Sequence, residues 1–170
     1  MAHDACVTEH AEVLDRPDLR WDAGVPAPVL LSDEHQTLLA FARSLSPVDL
    51  SKSQDDDGEF VVRVAEFAGC TSVRFGAPGD ETFGYLPLYE HGLALYAVHE
   101  VHDSTWLAEL RAVQVQHPRS QIKPYAESHH YLLGFHDSTL EAIARGIEVR
   151  GDFRTTADAL AWMTSCVGGA

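Results

Sequence analysis

Apolar residues along the chain gather in short runs broken by Gly, Pro, Asp and Ser, and most runs alternate as strands do. Val25-Pro-Ala-Pro-Val-Leu-Leu begins extended, because Pro26 and Pro28 exclude helix. Ser32-Asp-Glu-His35 is a turn signal between two apolar runs, which predicts a hairpin of strands 28–32 and 36–43. A helix over 33–45, with Leu38, Leu39, Ala42 and Leu45 on one face, is the rival. The run from Phe60 to Ala68 is β-branched and aromatic and reads as a strand. Gly69-Cys-Thr turns it, Ser72-Val-Arg-Phe returns, and Gly76-Ala-Pro-Gly-Asp-Glu breaks regular structure. After an aromatic, Gly/Pro-rich loop at 83–92, a strand is expected at 93–101.

Spacing changes at Trp106, Leu107, Leu110 and Val113, which predict a helix over 104–116 capped by Asp103 or Ser104 and ended by Pro118. Residues 117–128 connect to a strand at 130–136. A turn at Asp137-Ser-Thr then leads to a partner strand at 140–150. Thr155-Thr-Ala-Asp158 resembles a capping box and opens a last helix at 156–166, closed by Gly168 and Gly169. The sum is an α+β fold: an antiparallel sheet of five or six strands with two helices packed on one face. Residues 1–24 are polar and read as an N-terminal arm, with a short helical possibility at Thr8–Leu14. Residues 25–170 form a single domain, as 170 residues suggest.

Charge narrows the partners. Twelve Lys and Arg oppose 26 Asp and Glu, a formal −14. Such a surface repels phosphate, which argues against nucleic acid and anionic membranes. A basic protein, a cationic small molecule or a metal ion is electrostatically welcome, and net acidity also serves solubility alone. Cys6, Cys70 and Cys166 form no paired motif, which fits a reducing compartment. No signal peptide or long apolar span is visible, so a cytoplasmic location is expected.

Val101-His-Asp-Ser-Thr-Trp106 and Phe135-His-Asp-Ser-Thr-Leu140 share HDST after an aliphatic strand, and turn chemistry alone suffices to explain the echo. His102, Asp103, His136 and Asp137 stand at strand ends, where a His–Asp pair can serve as an oriented general base. They are the catalytic candidates, and the two HDST ends would share one rim if their strands run parallel. Tyr85, Tyr89, His91, Tyr96 and Glu100 are the ligand-binding candidates, aromatic bodies with polar tips near a strand. His99 and His102 lie on opposite faces of a strand and HExxH is absent, so no metal site is assigned. Asp55, Asp56 and Asp57 do not match a calcium loop. No phosphate loop or nucleophile elbow is present, and no cofactor is expected. Cys70 reads as a buried thiol rather than a nucleophile.

Four segments together resemble a small, uncharacterised bacterial family: Phe75-Gly-Ala-Pro-Gly-Asp-Glu, Pro87-Leu-Tyr-Glu-His-Gly-Leu, Glu100-Val-His-Asp-Ser-Thr-Trp, and the run from His130 through Phe135-His-Asp-Ser-Thr-Leu-Glu to Ala144. Its members carry FG.PNDE, GHPL..GL, EV.NS.W and HYI..FHDSTFE.IA in that order. The resemblance spans about residues 60–150. This chain has Gly84-Tyr-Leu-Pro-Leu at the GHPL position and Gly79 at the usual Asn, so a histidine and an amide of the pattern are absent. The resemblance supports the domain boundaries and implies no reaction. The expectation is therefore a binding or accessory module, with a small metabolite-processing enzyme using His/Asp acid–base chemistry as the alternative.

Overall fold

A computed structural model describes residues 8–43, 61–116 and 125–167. The loop expected at 46–58, the acids at 55–57, Cys6 and the closing glycines lie outside the described residues. Among the described residues nine strands run in the order β1 His10–Val13, β2 Val29–Ser32, β3 Thr37–Ala42, β4 Val62–Ala68, β5 Ser72–Gly76, β6 Val98–His102, β7 His129–Gly134, β8 Thr139–Ala144 and β9 Gly146–Phe153. The helices are α1 Asp80–Phe83, α2 Thr105–Val115 and α3 Thr156–Cys166, with 3-10 turns at Pro17–Leu19 and Pro87–His91.

The fold is α+β and antiparallel as expected, but the single sheet is corrected to two. One has five strands in the order β1-β6-β7-β8-β5; the other has four in the order β2-β3-β4-β9. They face each other across a core of Leu39, Phe41, Ala65, Phe67 and Ile147 on one side and Val98, Tyr131, Leu133, Leu140 and Ala142 on the other. Both faces of β3 are therefore buried, and so are all six of its residues. That double burial explains an apolar run with no alternation.

The two helices do not share a face. α3 lays Ala159 and Met163 on Leu38, Ala40, Val62 and Val64, the outer face of the four-stranded sheet. α2 sets Trp106 and Leu107 on Ile143, the outer face of the five-stranded sheet. Val113, expected in the apolar stripe of α2, is exposed, so only the first turns of that helix are anchored.

The run at 140–150 is two strands rather than one. β8 pairs with β5 in one sheet and β9 with β4 in the other. The ribbon bends where Gly69 takes φ +59° and the Arg145 amide donates to the Ala68 carbonyl. Gly suits this corner because positive φ carries no side-chain penalty there. The 137–139 turn and the β7–β8 hairpin form as expected, with the Phe135 amide donating to the Ser138 carbonyl at 2.7 Å.

The described part of the polar arm, residues 8–24, is woven into the fold. Its Thr8–Leu14 helix is corrected to edge strand β1, paired with β6. Leu19 and Trp21 enter the core between the sheets.

Candidate functional site

The outer face of the five-stranded sheet carries the polar groups that an apolar strand pattern conceals. One cross-strand row holds Arg74 of β5, Glu141 of β8, Leu132 of β7 and His99 of β6, each opposite its neighbour. The next row holds Ile143, His130 and Val101. Two bodies cover this face in part. α2 covers His130 and Ile143. The 77–97 segment covers the region near Leu132 through Phe83, Leu86, Leu88 and Leu93.

A cleft of 390 Å³ remains on this face beside the 77–97 segment. Its floor includes Arg74, Glu141, Leu132 and Thr139, and its walls include Leu86 and Leu88. Glu9, beside edge strand β1, and Arg74, on the opposite edge strand β5, both line it, so the cleft runs across the strands. The volume lies in the range of small-ligand sites. The combination of an apolar lining with a few charges is the usual composition of such sites.

The charged groups are held in place. Glu141 Oε2 accepts from His130 Nε2 at 3.0 Å, while Ser104 Oγ and His130 Nδ1 are 2.9 Å apart. Ser104 Oγ also accepts from the Leu107 amide at 3.0 Å, as the N-cap of α2. Trp106 stands edge-on to the His130 ring, and the Arg74 guanidinium lies 3.9 Å from the Trp106 ring centroid. The hydrogen bond from His130 holds the Glu141 carboxyl below its usual range, against the opposing effect of burial, with Arg74 adding to the same direction. Glu141 thus presents a carboxylate at neutral pH. Glu9 accepts from the Thr105 amide at 3.0 Å, adding an anion at the N-terminus of α2.

The Ser104–His130–Glu141 chain resembles a hydrolase relay in composition only. Ser104 is buried, and its Oγ is bound at once to the Leu107 amide and to His130. Both lone-pair and proton capacity are used in fastening α2 to the sheet. Its mechanical consequence is an ionised, oriented Glu141.

The sequence candidates are distributed differently. β6 and β7 are antiparallel, with Val98 opposite Leu133 and Val101 opposite His130. His102 and His136 therefore stand at opposite ends of the sheet, and the shared rim of the two HDST segments is corrected. The segment after β6 turns back through α2 instead of producing a parallel strand.

At the His102 end, Glu12 lies 2.8 Å from His102, Glu100 2.6 Å from His129, and His10 stacks on His102 with centroids 5.0 Å apart. Asp103 is 3.9 Å from His10. Glu100, His102 and Asp103 line a second, polar cleft of 550 Å³ with Ser104, Arg111 and His129. Glu12, Glu100 and Asp103 each face an imidazole, so this end is a ladder of internal pairs.

At the other end, His136 Nδ1 bonds Asp137 at 2.9 Å, and Asp80 receives the Tyr96 hydroxyl at 2.5 Å and lies 3.9 Å from His136. The structure thus joins Tyr96 to His136 and Asp137 through Asp80, a residue not singled out in the sequence. The Asp137 hydrogen bond and the Asp80 charge raise the His136 pKa. Gly79 permits this packing, because a Cβ there would lie 2.8 Å from the His136 carbonyl. Tyr85, Tyr89 and His91 point to solvent, Tyr85 with 87% of its surface exposed. The loop that carries them gives leucines, not tyrosines, to the outer cleft.

His99 is fully buried, with the Ala94 amide donating to its Nε2 and its Nδ1 against the Leu132 carbonyl. Burial lowers its pKa, so it is a neutral core residue. Burial raises the Cys70 pKa and keeps that thiol protonated. Among the described residues no group of three or more His, Cys, Asp or Glu side chains is arranged to hold a metal ion, and no helix is long and apolar enough to cross a membrane.

No family model matches the sequence, and neither a curated protein nor a solved structure matches it.

Proposed function

We propose that this chain is a binding module for a small organic ligand that carries a cationic nitrogen and an apolar body, seated in the outer cleft. The observation that carries the reading is the Glu141 carboxylate, kept ionised by His130 on the floor of a cleft lined by Leu86, Leu88 and Leu132. A carboxylate in partly apolar surroundings attracts an ammonium group more strongly than one in water. The leucines give apolar area to the rest of the ligand at roughly 25 cal/mol per Å² buried. The formal charge of −14 draws cations toward the surface as a whole.

The test is a titration with phenethylamine, an ammonium group on a short apolar body, followed by thermal shift and calorimetry. The wild-type chain should bind and melt at a higher temperature with ligand. Leu88→Trp, which fills the cleft wall, should remove both effects while leaving the unliganded melting point close to wild type, since Leu88 is only partly buried. Equal binding by Leu88→Trp would place the ligand elsewhere and defeat the reading.

A further inference from the structure

We infer that the ligand is a zwitterion of the α-amino-acid type with an apolar side chain, recognised at its carboxylate by Arg74 and at its ammonium by Glu141. This rests on the outer cleft being the ligand site. Arg74 and Glu141 are direct cross-strand partners on β5 and β8, so their side chains leave the same face of the sheet. Their Cβ atoms are about 5 Å apart by strand geometry. That is the scale on which an amino acid holds its two opposite charges.

The two protein charges do not cancel by closing on each other. Glu141 bonds sideways to His130 on β7, and Arg74 reaches over the Trp106 ring. Glu141 is held by His130 of β7, itself tied to the N-cap of α2, and Arg74 by Trp106 in the first turn of that helix. Two opposite charges are thereby set side by side at one end of the cleft floor.

A singly charged ligand pairs with one of the two groups and meets the other as a like charge, so it binds less well than a head bearing both charges. A simple cation placed on Glu141 meets the adjacent guanidinium. A simple anion placed on Arg74 meets Glu141, with Glu9 further along the cleft and the acidic surface beyond. A head bearing both charges pairs with both. Arg suits the carboxylate because its planar fork matches two oxygens. Beyond the head, Leu132 on the floor and Leu86 and Leu88 on the wall supply the apolar lining.

The experiment compares three probes of one skeleton on the wild-type chain by calorimetry: L-phenylalanine, phenethylamine, which lacks the carboxylate, and 3-phenylpropanoate, which lacks the ammonium. L-phenylalanine should bind tightest, each truncated probe about tenfold weaker, because each gives up one charge-assisted pairing, with the exposed Arg74 or with the partly buried Glu141. Arg74→Met should weaken L-phenylalanine by a similar factor of about ten and leave phenethylamine unchanged or tighter. Glu141→Gln, which keeps a partner for His130, should weaken L-phenylalanine and phenethylamine but not 3-phenylpropanoate. Phenethylamine binding as tightly as L-phenylalanine would overturn the zwitterion while leaving the cation-binding cleft intact. No binding of L-phenylalanine where phenethylamine binds would do the same. Binding of all three unaffected by Leu88→Trp would overturn the cleft itself and the inference with it.

Discussion

His99 and His136 show how one residue type is set to opposite ends by its surroundings. His99 has no accessible surface and a lowered pKa caused first by burial, so it binds a proton less readily folded than unfolded. Its contribution to stability is present above the ordinary histidine value and is lost as the pH falls below it toward the folded value. His136 is half-exposed, and its pKa is raised first by the hydrogen bond to Asp137 and then by Asp80. Its contribution is present below the ordinary histidine value and is lost as the pH rises through the folded value. The melting-temperature difference between wild type and His136→Gln should therefore be largest on the acid side of neutrality and shrink toward alkaline pH. A difference that grows toward alkaline pH would show that the Asp137 and Asp80 contacts do not act on this imidazole. The sequence could mark His136 and Asp137 because they adjoin a turn. Asp80 stands within a sequence motif that gives it no role, because it meets them through a contact distant along the chain, its amide donating to the His136 carbonyl at 2.7 Å. Glu141 did leave a signal, a charge inside the apolar run Leu140-Glu-Ala-Ile. A carboxylate in such a place is either paired or functional, and here it is paired with His130.

At the scale of elements, local chemistry was legible and partner choice was not. The β2–β3 hairpin, the β7–β8 turn and both long helices follow from turn and cap residues near each other in sequence. Ser104 and Thr155 cap their helices through the expected side-chain oxygens. The pairing of β4 with β9, and the return through α2 that makes β6 and β7 antiparallel, depend on contacts far apart along the chain. The wall of the outer cleft depends on another such contact. Phe83 at the end of α1 is fully buried, and a Cβ at Gly134 would approach its ring to 2.7 Å. Gly134→Ala should therefore displace Phe83 and the leucines that follow it, costing about 1–3 kcal/mol as overpacking does. Denaturant unfolding would measure that loss, and calorimetry should show weaker ligand binding in the same variant. Wild-type stability would mean that the ring gives way without disturbing the wall.

For the whole molecule, the two-sheet arrangement decides what the charges can do. One layer of apolar residues between the sheets uses the inner faces, and α3 closes the far side of the four-stranded sheet. The outer face of the five-stranded sheet is covered only in part by α2 and the 77–97 segment, and the outer cleft lies on it beside the latter. The sequence pointed to the tyrosines of the loop for their aromatic bodies and polar tips; Arg74 and Glu141 come together only through the pairing of β5 with β8, which no local pattern shows. The most direct test is amide chemical-shift mapping of L-phenylalanine on the isotope-labelled chain. The largest perturbations should fall on Arg74, Gly76, Leu88, Leu132 and Glu141. Perturbations centred instead on His10, His102 and His129, or on Asp80 and His136, would contradict the assignment of the outer cleft as the binding site.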